Sequence, residues 1–188
     1  MIRNLITLLF ISLFVSQFAR AQDVSTLVTD STKRFAAMHW HEDGRIYAVD
    51  YYNGNLYQVY LDGTVRTILD EFRNLAGGGF DHAGNFYFSD IAGGILYKLN
   101  ADETYTSIAT GMKQPVMILQ DPQNDSILYI TEYENSQVTR IVKETGAKSV
   151  VVKGRGINGP DGIFYDWDGN MMVSNWNNHK IHIVNPDG

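Results

Sequence analysis

No cysteine occurs among the 188 residues, which excludes a disulfide framework, a thiolate metal site and a cysteine nucleophile. A chain of this length can build a core without such staples. Basic residues are the minority, 15 Lys and Arg against 21 Asp and Glu, for a formal charge of −6. No stretch interleaves Lys or Arg with aromatic residues, and an acidic surface repels phosphate backbones, so nucleic acid is not an expected partner. Long apolar runs are missing too. The longest, Leu5 to Val15, falls well short of the ~20 residues that span a bilayer.

That run sits in an N-terminal segment with the grammar of an export signal. Arg3 gives the basic start, Leu5 to Val15 the apolar stretch, and Ala19-Arg20-Ala21 a small-x-small cleavage site before Gln22. Removing residues 1–21 takes away Arg3 and Arg20 and no acid, so the mature charge is 13 − 21 = −8. Without a cysteine near the cleavage site, a bacterial lipid anchor is excluded. The expectation is a periplasmic or extracellular protein with no stable membrane span after cleavage.

Proline is scarce at four residues, whereas glycine is plentiful at 17 and Tyr and Phe are abundant, the composition of strands joined by tight turns. Four segments carry the same arrangement: HEDGRIYAVDYYNGNLYQVY, DHAGNFYFSDIAGGILYKL, NDSILYITEYENSQVTRIV and DWDGNMMVSNWNNHKIHIV. Aligning the polar residue that ends the first apolar strand of each picks out Asp50, Asp90, Glu132 and Asn175, with periods of 40, 42 and 43 residues. Periods in this range mark propeller blades.

Turn chemistry places the strands within each copy. Asp43-Gly44, Ala83-Gly84 and Asp168-Gly169 share one position of the repeat, Asp62-Gly63 and Asp187-Gly188 another, and each reads as a hairpin turn that needs a positive φ. The expected strands are 36–40, 45–50, 55–61 and 64–69; 78–81, 85–89, 94–99 and 104–109; 115–120, 126–131, 136–142 and 147–153; and 161–165, 170–174 and 179–184. Runs such as Ile46-Tyr47-Ala48-Val49 and Ile127-Leu128-Tyr129-Ile130 are apolar without alternation, which fits sheets covered on both faces by neighbouring blades.

The predicted fold class is therefore all-β: a propeller of four-stranded antiparallel blades, approximately 35–69, 77–109, 115–153 and an incomplete 160–188. Residues 24–28 occupy the repeat position of an outer strand without a blade of its own, as if to complete a last blade and remove open edges. Two readings follow, a complete four-bladed ring or the front part of a larger, six-bladed one; Asp187-Gly188 is a turn that ought to feed another strand, so the expectation is the larger ring.

Several motifs read as structure rather than chemistry. Asp166-Trp167-Asp168-Gly169-Asn170 resembles the opening of a calcium loop but lacks the closing acid and aligns with hairpin turns. His39 and His41 share a strand face without a third ligand at readable spacing. Gly77-Gly78-Gly79 precedes no helix and lacks the lysine of a phosphate loop, which leaves close packing near the axis. Ser89 and Ser174 have no nucleophile-elbow context. Asn124-Asp125-Ser126 is a glycosylation sequon that matters only in a glycosylating host.

The last copy, GPDGIFYDWDGNMMVSNWNNHKIHIVNPDG, resembles an NHL repeat and equally the PDG segment of the senescence marker protein/gluconolactonase family, both six-bladed propellers. In the lactonase family a divalent cation sits at the axis, held by a Glu in an EGPxW segment, an Asn in an NG segment and the Asp of PDG. The resemblance thus implies Asp161 as a metal ligand, with calcium or another divalent cation able to polarise a lactone carbonyl. The other two positions depart from the family: Ala36 stands where the Glu belongs, and Lys113-Gln114-Pro115-Val116 replaces the NG segment. The substrate-side NDG segment becomes Ala76-Gly77-Gly78.

Asp50, Asp90, Glu132 and Asn175, each ending the second strand of a blade, are expected on the same face of the ring as Asp161. With Asn158 and Trp176 they form the candidate ligand-binding face, and Tyr51, Tyr52 and Tyr133 lie in the loops beside them. Two functions follow. The first is a binding module that takes a small molecule, glycan or protein on this face and needs no catalytic group. The alternative is a divalent-metal-dependent lactone or ester hydrolase built on Asp161.

Overall fold

The computed structural model describes residues 25–185; the segment 1–21, residue 24 and the turn at Asp187-Gly188 lie outside them. Fifteen strands and no helix occur among the described residues. The first blade comprises β1 (Phe35–Trp40), β2 (Ile46–Asp50), β3 (Leu56–Val59) and β4 (Val65–Leu69). The second holds β5 (Leu75–Phe80), β6 (Phe86–Asp90), β7 (Ile95–Leu99) and β8 (Tyr105–Ala109), and the third β9 (Pro115–Gln120), β10 (Ile127–Glu132), β11 (Gln137–Val142) and β12 (Lys148–Lys153). The fourth has three strands, β13 (Pro160–Tyr165), β14 (Met171–Asn175) and β15 (Lys180–Val184). Each sheet is an antiparallel meander in chain order, so the repeat is realised as four propeller blades.

The expected turns form as read: Gly44, Gly63, Gly84 and Gly169 all adopt positive φ, from +78° to +87°. A side chain with a Cβ is strained there, which is why glycine recurs at these positions. One boundary moves. The second blade's inner strand begins at Leu75 rather than 78, because Leu75, Ala76 and Gly77 join Gly78 and Gly79 in the sheet. A Cβ on Gly77 would run into the carbonyl of Val116, and one on Gly79 would lie 3.0 Å from the carbonyl oxygen of Ile118. The glycines thus let the second and third blades approach backbone to backbone.

Three hydrophobic cores lie between successive blades. Tyr47, Val49 and Leu56 pack on Leu75, Phe86 and Phe88; Tyr87 and Leu96 pack on Ile118, Leu128 and Ile130; Tyr129 and Val138 pack on Ile163, Met171 and Val173. The second strands carry out the burial that their apolar runs predict, with every residue of β10 buried. A charged pair joins the second and third blades as well: Lys143 Nζ lies 2.8 Å from Asp81 Oδ2, and both side chains are largely buried.

Residues 25–28, where an outer strand was expected, have no strand pairing, and Leu27 sits in a bend. Val28 packs instead against Ala48, Tyr57 and Val59 on the outward face of the first blade. The carbonyl oxygen of Leu27 approaches within 2.7 Å of where a Cβ of Gly63 would stand, so the segment crosses the β3–β4 turn rather than extending a sheet. Burial of Val28 on an apolar face takes the place of ladder hydrogen bonds.

Candidate functional site

The repeat's four aligned polar residues occupy one structural position. Asp50, Asp90, Glu132 and Asn175 pair with Phe35, Leu75, Pro115 and Pro160, the first residues of the four inner strands. In every blade the register slips immediately beyond that pair: between Phe35 and Ala37, Leu75 and Gly78, Ile130 and Glu132, and Pro160 and Ile163. Such bulges re-aim side chains out of the regular alternation. The residues they turn are Ala36, Ala76, Val116 and Asp161, and all four line one cleft of 640 Å³.

Arg34, Phe35 and Gln114 add to the walls, and Tyr51, Tyr52, Ile91, Tyr133 and Trp176 come from the loops after the second strands. The guanidinium of Arg34 stands 5.4 Å from the ring centre of Tyr52, a cation–π contact at the rim. Tyr133 donates its hydroxyl to Asn177 Oδ1 at 2.6 Å, which ties the third blade's loop to the fourth's. Gln114 holds a positive φ of 52°, where the fourth blade uses Gly159 with a φ of 60°. A non-glycine residue in that region stores strain, which here bends the chain into the cleft wall.

Asp161 is the one carboxylate in this lining. Burial pushes its pKa above the ordinary carboxylate value, and among the described residues no donor meets its side chain to offset that. Its main-chain oxygen is fixed nonetheless, since Thr131 donates its hydroxyl to it at 2.8 Å. The half-buried acid is thus held firmly by its backbone while its carboxyl stays available to a ligand.

The polar quartet is used differently. Asp50 is fully buried and accepts from the N–H groups of Arg34, Tyr52 and Asn53 and from the Asn53 side chain, at 2.8 to 3.1 Å. Glu132, also buried, accepts from Lys113 N–H, Asn135, Gln137 and Thr139. Asn175 Oδ1 accepts from Asn158 N–H at 2.8 Å, and Asp90 accepts from Gly93 N–H at 2.8 Å. Burial, the largest single influence, pushes the carboxyls of Asp50 and Glu132 up, but their many donors together hold both below the usual range.

Asp50, Glu132 and Asn175 therefore clamp the loops entering β1, β9 and β13, whereas Asp90 caps the β6–β7 turn. Of the residues the sequence singled out, Asp161 and Trp176 line the cleft, and Asn175 borders with both of them a smaller groove of 410 Å³. Asn158 points back into the loops, its Oδ1 accepting from Asn177 at 3.2 Å.

The donor set does not fit the cation site that the family resemblance implies. Ala36 offers no side-chain oxygen where the Glu belongs, Lys113-Gln114-Pro115-Val116 replaces the NG segment with only the Gln114 amide reaching the lining, and no group of three or more His, Asp or Glu among the described residues could hold a metal. No helix of the described residues is long and apolar enough to cross a membrane.

Sequence reasoning missed one recurring device. Ser89 and Thr131, one residue before Asp90 and Glu132, each accept an N–H from their own inner strand and donate to the inner strand of the next blade. Ser89 takes Gly77 N–H at 3.0 Å and gives to Val116 O at 2.8 Å; Thr131 takes Met117 N–H at 3.0 Å and gives to Asp161 O. A hydroxyl at that repeat position was the available signal.

These features define a β-propeller with a cleft at its axis. No family model matches the sequence. A lactonase, drp35 of Staphylococcus haemolyticus, is 22% identical over 195 residues, which cover 88% of this chain and 57% of that protein. A virginiamycin B lyase from Staphylococcus aureus crystallised with quinupristin superposes with a TM-score of 0.72 at 17% identity, over 85% of this chain and 55% of the other. A chain of a nidogen/laminin complex gives 0.71 at 17% identity, over 81% and 61%. The chain thus spans little more than half the length of these proteins.

Proposed function

We propose that this chain is an exported ligand-binding propeller module whose axial cleft holds a small organic molecule. The observation that carries the reading is the lining itself: an apolar floor of Ala36, Ala76 and Val116, a rim of Tyr51, Tyr52, Tyr133 and Trp176, and the carboxyl of Asp161 among them. Clefts of a few hundred Å³ with apolar walls and few converging polar groups suit small ligands. The aromatic rim favours a flat ring, aromatic or sugar, and Asp161 favours a ligand that brings a hydrogen-bond donor. No cofactor enters this reading. A thermal-shift screen of lactones, oligosaccharides and aromatic amphiphiles tests it: hits should be weakened at least tenfold by Asp161→Asn and by Trp176→Ala. Hits indifferent to both substitutions would remove the axial cleft as the site.

A metal-dependent lactone or ester hydrolase is the second reading. Similarity to the drp35 lactonase and the place of Asp161 in the cleft favour it. Against it stands the donor set: Ala36 replaces the Glu of the family pattern, and no group of three or more His, Asp or Glu among the described residues could hold a metal. Calcium-stimulated hydrolysis of a lactone, abolished by Asp161→Ala, would establish this reading over the first.

A further inference from the structure

Two charged side chains line the axial cleft, Arg34 from the first blade and Asp161 from the fourth. Each is fixed at its main chain. The N–H of Arg34 donates to the buried carboxylate of Asp50 at 2.9 Å, and the carbonyl oxygen of Asp161 accepts the Thr131 hydroxyl at 2.8 Å. Neither charged group has a polar partner. Among the described residues no ion pair involves Arg34 or Asp161, and no hydrogen bond reaches the guanidinium of the one or the carboxyl of the other. The contact of Arg34 with the Tyr52 ring consumes none of its five N–H donors.

Two opposite charges held in one cleft without pairing are complementary to a molecule that carries both signs. Burial penalises the Asp161 carboxylate and nothing among the described residues offsets it, so an ammonium group placed there recovers what burial costs. A purely anionic ligand would set its charge against Asp161, and a purely cationic one would set its charge against Arg34. The rest of the lining suits an apolar, ring-bearing body. Ala36, Ala76 and Val116 put small or aliphatic side chains at the bulged positions of the first three blades, which leaves space at the axis. Tyr51 and Tyr52 stand edge to face, ring centres 5.1 Å apart and planes at 80°, a fixed corner against which a ring can pack. Tyr133 has its hydroxyl committed to Asn177 and offers the ligand its ring. The side-chain amide of Gln114, with no hydrogen bond among the described residues, remains for a further polar group such as a peptide bond.

We propose that the axial cleft takes a zwitterionic aromatic molecule of dipeptide size, its protonated amine on Asp161 and its carboxylate on Arg34, an inference that rests on the reading of this cleft as a small-molecule site. The guanidinium presents a planar fork that matches a carboxylate, so the anionic end is held in orientation as well as in charge. Aromatic side chains then lie along the apolar floor and against the tyrosine corner.

The probe is phenylalanyl-phenylalanine, titrated calorimetrically into the full chain beside its N-acetyl, C-terminal amide and doubly capped forms. Acetylation should weaken binding to the parent about tenfold or more, and amidation likewise. In Asp161→Asn the effect of acetylation should shrink below about threefold while that of amidation persists, and in Arg34→Met the reverse should hold. Both substitutions keep the main-chain hydrogen bonds to Asp50 and Thr131, and both variants should melt as cooperatively as the parent. A doubly capped form bound as tightly as the free dipeptide, with Trp176→Ala weakening both, would overturn the zwitterion and leave the cleft a binding site. Sensitivity to one cap alone would overturn it in favour of a singly charged ligand. Absence of binding by all four forms would overturn it too, and the cleft reading would then stand or fall on whether lactones, sugars or aromatic amphiphiles bind in a manner that depends on Trp176.

Discussion

Thr131 donates its hydroxyl to the main-chain oxygen of Asp161 at 2.8 Å, so the acid in the cleft is positioned by the blade that precedes its own. Thr131→Val keeps the shape and deletes both hydrogen bonds, leaving Met117 N–H and Asp161 O without their partner. Urea denaturation should show a loss of about 1–3 kcal/mol, and Thr131→Ser should recover most of it. A valine variant as stable as the parent would show that the stitch contributes nothing.

Asp161 itself should cost stability at neutral pH. Its folded pKa lies above the ordinary 3.8, so between those two values the folded state binds more protons than the unfolded one and stability falls as pH rises. Asp161→Asn is therefore expected to be more stable than the parent at pH 7, with the advantage fading as pH falls from the raised folded value to 3.8 and gone below it. Parallel stability curves for the two proteins from pH 7 to pH 3 would contradict the raised pKa.

His39 packs on Phe86 at the interface of the first two blades, ring centres 5.9 Å apart, and its buried Nε2 has no hydrogen-bond partner. Burial depresses its pKa below 6.5. The unfolded chain then binds the extra proton first, so stability is full above pH 6.5 and declines as pH falls from 6.5 toward the folded value. His39→Leu should remove that part of the acid loss. The readout is the difference in denaturation midpoint between pH 7.5 and pH 5, which should shrink in the variant.

The Lys143–Asp81 pair makes a larger demand, since its two charges are buried between the second and third blades. Burial pushes Asp81 up, but Lys143, Asn85 and the Asn85 N–H hold its pKa down to about 2. Its stabilisation is present above pH 3.8 and lost as pH falls from there toward 2. Lys143→Met leaves Asp81 unpaired and should cost about 3–5 kcal/mol. Adding Asp81→Leu should recover much of that loss, and a double variant no better than the single one would mean that the charge pair is not the source.

Much of the fold was legible because hairpin turns have local chemistry. Gly44, Gly63, Gly84 and Gly169 need positive φ whatever surrounds them, so the strands between them could be placed to within a few residues. The roles of Asp50 and Glu132 were not legible in the same way. Their donors include Arg34 and Lys113, 16 and 19 residues distant, and only the folded sheet brings those N–H groups to the carboxylates. A polar residue ending a strand looks alike in sequence whether it faces water or clamps a loop.

The outer strand expected over 24–28 shows the same division. A β-branched segment states a preference for extended backbone, but pairing needs a partner edge, and Val28 found an apolar face instead. Ser89 and Thr131 likewise read as ordinary strand residues until Val116 and Asp161 of the following blades came within hydrogen-bond distance.

By itself the sequence determined the repeat, the turns, the four blades and the place of Asp161 in its PDG segment, because periodicity and turn conformation depend on neighbours along the chain. Tertiary structure alone decided that Ala36, Ala76, Val116 and Asp161 converge on one cleft and that Asp50 and Glu132 turn inward. The reason is physical: bulges after the first residue of each inner strand rotate side chains toward the axis. Burial then rewards whichever polar groups find donors and leaves Asp161 as the acid without them.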